Sequence, residues 1–456
     1  MMPAHVTTSS ARDSAHLRAF STALILMTAV QVGLFAWYLQ ATMILQPYWD
    51  MYAHITRFLE YREDGGWWAF LWAPHVQHRN VWIHLLTAFD ADVFSGVGYP
   101  FVVFATACLL IAATVVWREI HRTAPPELRL PIGSLAVMLM LTSVAAVDCA
   151  IPMNGIYPQA VMFTVLAFVL FDGAGEAGPD SNRANWRRVA ALLAAMGAAM
   201  GNSAALVIWP ILLWMAWRGR AGRMWMITAA AVGIAFIWAY LHGIPVAGEG
   251  EGGPGRILEP ARRLKMVVYL VTYLGLPWTR SAALVPVGRM LGAVLLAVSC
   301  VAMIRWGLVR SEIGRLERFA VALIAFAVAT GLLAAVGRLD VDGDVRVPVR
   351  YSLFVAPLHV GLLLLAADYL ARRWHVTAQR VGIEWILGAT AVALLVQQIA
   401  AGQAAVATTR SMKATIQRFV AGETTPEMTE VIFDNLTQAR RDLDRIRQAG
   451  LYLNAK

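Results

Sequence analysis

Residues 46–90 read QPYWDMYAHITRFLEYREDGGWWAFLWAPHVQHRNVWIHLLTAFD. They follow the first long apolar run and hold Asp50, His54, Glu60, Glu63, Asp64, His75, His78, Arg79 and His84, interleaved with Trp49, Trp67, Trp68, Trp72 and Trp82. Only 15% of the 456 residues are charged. So many ionisable groups beside an apolar run read as a working surface.

Outward from this stretch the chain is dominated by apolar runs. Hydrophobic residues make up 59% of the sequence, mean hydropathy is +0.57, and runs of about 20 apolar residues, long enough to cross a bilayer core as helix, recur throughout. Backbone amides in hydrocarbon must be satisfied within their own segment, and these runs lack the alternation of barrel strands. The expectation is an all-α polytopic membrane protein with about 10–12 transmembrane or re-entrant helices.

The net charge of +9 does not point to nucleic acid, because the arginines cluster at the ends of apolar runs, as membrane topology requires. Cys108, Cys149 and Cys300 show no CxxC spacing, so neither a disulfide framework nor a zinc site is expected. The N-terminus is long and polar before its first apolar run, which reads as a retained anchor.

The first span, about 19–45, follows Arg12 and Arg18, and 46–95 then forms an outer loop. Spans at about 96–117, 130–147 and 156–171 come next. The run 189–217 has basic clusters at both ends and Gly201-Asn202-Ser203 in its middle, so it reads as a hairpin turning near Asn202. Further spans lie at about 224–241, 282–304, 319–336, 351–370 and 383–401, with a short apolar piece at 264–278 that is re-entrant or interfacial. Clusters such as Arg118, Arg122 and Arg129 mark the cytoplasmic side, whereas the first outer loop holds only Arg57, Arg62 and Arg79. The organisation is therefore a cytoplasmic tail at 1–18, a membrane domain at 19–403 and an extracytoplasmic helical tail at 404–456. No internal repeat is visible.

Asp50 stands at the membrane surface, where lipid-linked substrates keep their head groups. His54, Arg57 and Tyr61 continue its helical face. A carboxylate there suits a general base for an acceptor hydroxyl, with His54 assisting; the plain alternative is an aspartate capping a helix that starts at Met51. A proline break then leads to a second helix with His75, His78, Arg79 and Trp82 on one stripe. Tryptophans in such segments anchor them in the interface. His75 and His78 lack the further ligands of a metal motif.

Arg338, Arg346, Arg350 and Tyr351 flank another outer loop. Arg350 begins a span on the side away from the basic clusters, where a guanidinium suits phosphate oxygens; a snorkelling arginine, or a salt bridge to Asp340, Asp342 or Asp344, is the alternative. The segment DVDGD at 340–344 does not complete a calcium loop. Asn154, Tyr157, Gln159 and Asn202 read first as ties between helices and second as cavity lining.

One span, a long outer loop opening on an acidic residue, interfacial helices and then many spans resemble the GT-C superfamily of membrane-embedded glycosyltransferases. The segments PYWD, WAPHVQHRN, GNSAALVIWP and the later GR(x)11RY are similar to bacterial multi-spanning proteins with a WxPHNEHR-like segment. The resemblance implies a polyprenyl-phosphate-linked sugar donor, an extracytoplasmic cell-envelope glycan or lipid acceptor, and inversion at the anomeric carbon. Asp50 would be the catalytic carboxylate, while Arg350 and Tyr351 would hold the donor phosphate. Val76 and Gln77 stand where that segment has Asn-Glu, and no adjacent Asp-Asp pair is present.

The reading is a glycosyltransferase with Asp50 and His54 as candidate catalytic residues. Arg57, His75, His78, Arg79, Asn202, Arg338, Arg350 and Tyr351 are its candidate substrate-binding residues. No metal ligand set is assigned, and a divalent cation is left open. The rivals are a transporter or flippase for a lipid-linked solute and a non-catalytic assembly partner.

Overall fold

The computed structural model describes residues 7–75, 78–177, 181–244, 259–278, 284–338, 345, 347–374 and 377–453. Among them no strand forms, and the chain folds into seventeen α-helices joined by short turns and 3-10 segments. Eight helices are long and apolar enough to cross a membrane, which makes this a multi-pass membrane protein. The other pieces of the expected ten to twelve are shorter or broken.

Helix α1 (Thr7–Thr42) leads into the cap elements α2 (Asp50–Asp64), α3 (Trp67–Trp72) and α4 (Val81–Phe94). Helix α5 (Tyr99–Thr123) re-enters the bundle, and the third expected span arrives as two helices, α6 (Arg129–Met140) and α7 (Ser143–Ala150), bent by 45°. The break has a local cause: Thr142 accepts the Ala145 amide proton and starts a new helix. Helix α8 (Ile156–Gly173) packs along α9 (Asn182–Ala199); α10 (Ile208–Arg218) and α11 (Arg223–Leu241) follow.

The hairpin expected near Asn202 is present. The chain turns at residues 200–202, and the Asn202 side chain accepts the Ala204 amide proton to open the 3-10 segment Ser203–Val207. At the other end Arg187 donates to Gly173 O, and Arg218 donates to Arg310 O. Both legs therefore return to the same end of the bundle. Gly201 has no room for a Cβ, because Gln159 Oε1 occupies that place.

Helices α12 (Pro260–Gly275) and α13 (Val285–Ala302) pack backbone to backbone, with Gly275 against Gly288 and Gly292 against Val271. Small residues allow this approach where lipid supplies no hydrophobic drive. Helices α14 (Arg315–Arg338) and α15 (Ala356–Trp374) pack along one another, both largely buried. Helix α16 (Thr377–Val420) runs 44 residues without a break, about 66 Å, roughly twice a bilayer core. The helix runs on through 404 and carries the chain past the bundle, and α17 (Leu436–Gln448) folds back onto α2.

Two cores result. One runs through the bundle; the other joins the cap to the tail through Tyr52, Ile55, Phe58, Phe70, Ile416, Phe419, Ile432, Leu443 and Ile446. The two ends of the bundle differ in chemistry. At one, Arg315 forks onto Glu119 at 2.6 Å and Arg318 donates to Asp172 at 2.7 Å. About 27 Å away along α8, the other end carries the cap.

Candidate functional site

Helix α2 starts at Asp50 itself, so this aspartate does not cap a helix from Met51. Its neighbour Trp49 adopts φ 49° and ψ −134°, a left-handed backbone that costs a non-glycine residue roughly 1–3 kcal/mol and persists only where surroundings impose it. Here the C-terminal tail does so: Trp49 N donates to Ile432 O at 2.8 Å, and the Trp49 ring meets Phe433 edge-on at 6.3 Å. Asp50 is thereby held at the rim of the cap with its side chain half exposed.

The imidazole beside Asp50 is His75. His75 Nε2 lies 3.4 Å from Asp50 Oδ1, within ion-pair range but beyond a well-formed hydrogen bond. His54, expected to assist Asp50 directly, is 1% exposed and lies behind His75, with ring centroids 4.5 Å apart and His84 5.0 Å away on its other side. Among the described residues neither ring nitrogen of His54 has a hydrogen-bond partner. Burial pushes the His54 imidazole well below its ordinary value, with His75, His84 and Arg57 acting in the same sense. Burial likewise pulls His84 down to about 4. Both rings are neutral at pH 7.

Sequence reasoning missed His84, whose Nδ1 donates to Leu71 O at 3.1 Å. Its signal was present: His84 lies on the buried face of an apolar helix, where an imidazole needs a partner. Arg57 is half buried beneath this cluster, and burial lowers its pKa.

The expected stripe of His75, His78, Arg79 and Trp82 on one helix does not form. His75 and His78 pair N–H to C=O in both directions, at 2.8 and 3.0 Å, closing a tight turn after Pro74, and α4 begins only at Val81. The turn sends the two imidazoles to different partners. His78 Nδ1 lies 2.7 Å from Ser203 Oγ at the hairpin tip.

Arg79 is 4% exposed, and its guanidinium donates to the carbonyls of Trp72, Tyr240 and His242 while stacking on Trp72. It is a clamp between the cap and α11, with its fork engaged by protein rather than open to substrate. Trp82 is packed between Phe104 and Phe163 and donates to Gly197 O at 2.9 Å, inside the helix packing rather than in the interface.

Arg350 lies in the 3-10 segment Val349–Val355 before α15. Its guanidinium bonds the Tyr157 phenol and lies within electrostatic reach of Tyr351 and Asp50. Tyr157 meets the Tyr351 ring edge-on at 5.7 Å. Buried Tyr48 feels Arg350, Asp148 and Asp50 together, so the end of α1, the end of α7, the start of α8, the cap and Arg350 converge here. Burial raises the Tyr48 phenol above its ordinary value and keeps it protonated.

Asn154 donates to Asp148 Oδ1 at 3.1 Å, and Gln159 donates to Gly197 O at 2.5 Å. Both tie helices together, as the sequence suggested. Asn202 serves the hairpin tip. Arg338 closes α14, twelve residues before Arg350, and its side chain, Arg346 and the segment 340–344 lie outside the described residues. Among the described residues no three His, Cys, Asp or Glu side chains form a ready metal site.

No family model, curated protein or solved structure matches the chain.

Proposed function

We propose that the protein is a membrane-embedded glycosyltransferase that moves a sugar from a polyprenyl-phosphate donor to a hydroxyl of a cell-envelope glycan or lipid. What supports the reading is that Asp50 and Arg350, three hundred residues apart in sequence, lie within electrostatic reach of one another and of Tyr48 at the cap end of the bundle. A carboxylate and a guanidinium within electrostatic reach of one another suit the two charges of this reaction.

In this reading the acceptor hydroxyl attacks the anomeric carbon and gives its proton to Asp50. The new oxygen–carbon bond forms as the bond to the lipid phosphate breaks, and the phosphate leaves with the bonding electrons. Arg350 takes up the negative charge that grows on it, with Tyr157 and Tyr351 orienting the guanidinium. His75 lies against the acceptor side of Asp50. His54 supports His75 from behind and acts as a positioning residue.

The reading places the cap on the extracytoplasmic side of a bacterial inner membrane, because the arginine-rich clusters gather at the other end. It is tested with the full chain in membranes, a panel of radiolabelled polyprenyl-phosphate sugars and total envelope acceptors. Asp50→Asn should lower transfer at least 100-fold while the protein still inserts and folds. Full activity in that variant would remove Asp50 from the mechanism; absence of transfer from every donor would remove the activity.

A further inference from the structure

The turn that gives His75 to Asp50 gives His78 to Ser203, and that second pair lies outside the proposed transfer site. His78 Nδ1 accepts the Ser203 amide proton at 3.3 Å, so this nitrogen is the bare one, and the Ser203 hydroxyl 2.7 Å away donates to it. A hydroxyl donating to a bare imidazole nitrogen is the arrangement of a serine nucleophile and its base. Ser203 also opens the helical run Ser203–Arg218, whose N-terminal dipole favours the negative charge that builds on an attacked carbonyl.

An apolar groove of about 560 Å³ is lined by Trp68, Leu71, Trp72, Pro74, Val81 and Met200, residues close in the chain to this pair. Pro74 lies four residues before His78 and Met200 three before Ser203, so the chain brings two of the groove's walls near the pair. Its volume falls among sites that hold small molecules. Its lining offers a ligand almost nothing but carbon, and the helices around it belong to a multi-pass membrane protein, whose bilayer supplies acyl chains in quantity.

We propose that Ser203 and His78 form a second reactive site that takes an acyl group from an ester-linked membrane lipid, with the acyl chain in the groove. Ser203 Oγ attacks the ester carbonyl and His78 Nδ1 takes the hydroxyl proton. The new ester bond to Ser203 forms, the bond to the lipid alcohol breaks, and that alcohol leaves with the proton from His78. Water or an acceptor hydroxyl, deprotonated in turn by His78, then releases the acyl group and restores Ser203. The inference stands independently of glycosyl transfer.

The test uses the full chain in phospholipid nanodiscs and an alkyl fluorophosphonate, with labelled sites read by peptide mass. Ser203 should label at least tenfold faster than Ser411, an exposed serine on α16, and Ser203→Ala should remove the label. His78→Gln keeps an acceptor for the Ser203 amide while removing the base, so labelling should fall roughly 100-fold at an unchanged thermal midpoint. Met200→Trp, which fills the groove, should slow a long-chain probe and spare a short one. Vesicles of phospholipid with isotope-labelled acyl chains should leave a labelled acyl group on Ser203. Labelling no faster than Ser411, or His78→Gln labelling like wild type, overturns the reactive pair and leaves a structural contact. Acylation by a water-soluble acyl thioester alone overturns the lipid as donor.

Discussion

His84 shows how much one buried imidazole can make of acidity. Its Nδ1 proton is committed to Leu71 O, its ring is fully buried, and its pKa stands at about 4 against about 6.5 in an unfolded chain. Between those values the unfolded chain binds more protons than the folded one, so stability is present above pH 6.5 and is lost as pH falls toward 4. At 1.36 kcal/mol per pKa unit the shift is worth about 3 kcal/mol, and His54 adds to it in the same direction. Thermal unfolding followed by tryptophan fluorescence should therefore show a lower midpoint at pH 5 than at pH 7.5, and His84→Gln should flatten that difference. An unchanged slope in the variant would mean that His84 is not the group being titrated. Only part of this cluster could be read from residue spacing. Asp50 and Arg350 stood out because neither fits its apolar surroundings or the topology rule, whereas Arg79 looked equally exposed to function until its fork was found filled by three carbonyls. A one-dimensional stripe cannot distinguish a guanidinium facing substrate from one facing backbone.

At the scale of elements, the spans were legible because their lengths and caps are local properties, and the hairpin at Asn202 followed from basic residues at both ends of one run. The bend between α6 and α7 was not read, since a Thr142 cap inside an apolar run leaves the hydropathy unchanged. The register after Pro74 was misread for a related reason: a helical stripe was drawn through His75 and His78, whose backbones pair with one another before α4 begins. The tail was recognised as a helix, but its role lies in tertiary contact. Arg445 pairs with Glu60 and Glu63 on α2 at 3.4 and 2.9 Å, and Tyr452 donates to Asp90 at 2.9 Å, so the tail closes the cap at both its margins. Most of the stabilisation comes from the shared apolar core rather than from these exposed pairs, which are worth little. Ile446 is fully buried in that core, and Ile446→Ala should cost the cap about 2–5 kcal/mol. Limited proteolysis should then cut the tail and the α2–α3 loop faster, while the bundle helices keep their protection; a bundle that loosens to the same degree would show that cap and bundle are one cooperative unit.

For the whole molecule, the asymmetry of the two ends is the governing feature. The cap end presents unusual polar groups around Asp50, while the other end is sealed where the C-terminal ends of α5 and α8 meet the start of α14. Glu119 and Asp172 are almost completely buried there, and Arg315 and Arg318 are nearly so. A buried pair of this kind recovers in mutual attraction roughly what it loses in desolvation, so its presence says little about net stability. Removing one partner is a different matter, because the other charge is stranded. Glu119→Gln should therefore destabilise the protein by about 3–5 kcal/mol, whereas Glu119→Met combined with Arg315→Met should unfold close to the wild-type midpoint. Thermal unfolding of the two variants in the same detergent separates the cases. If the double variant is as unstable as Glu119→Gln, the ion pair is itself a source of stability and the arginine end is held by charge; if it recovers, helix packing holds that end and the pair serves to fix which helices meet there.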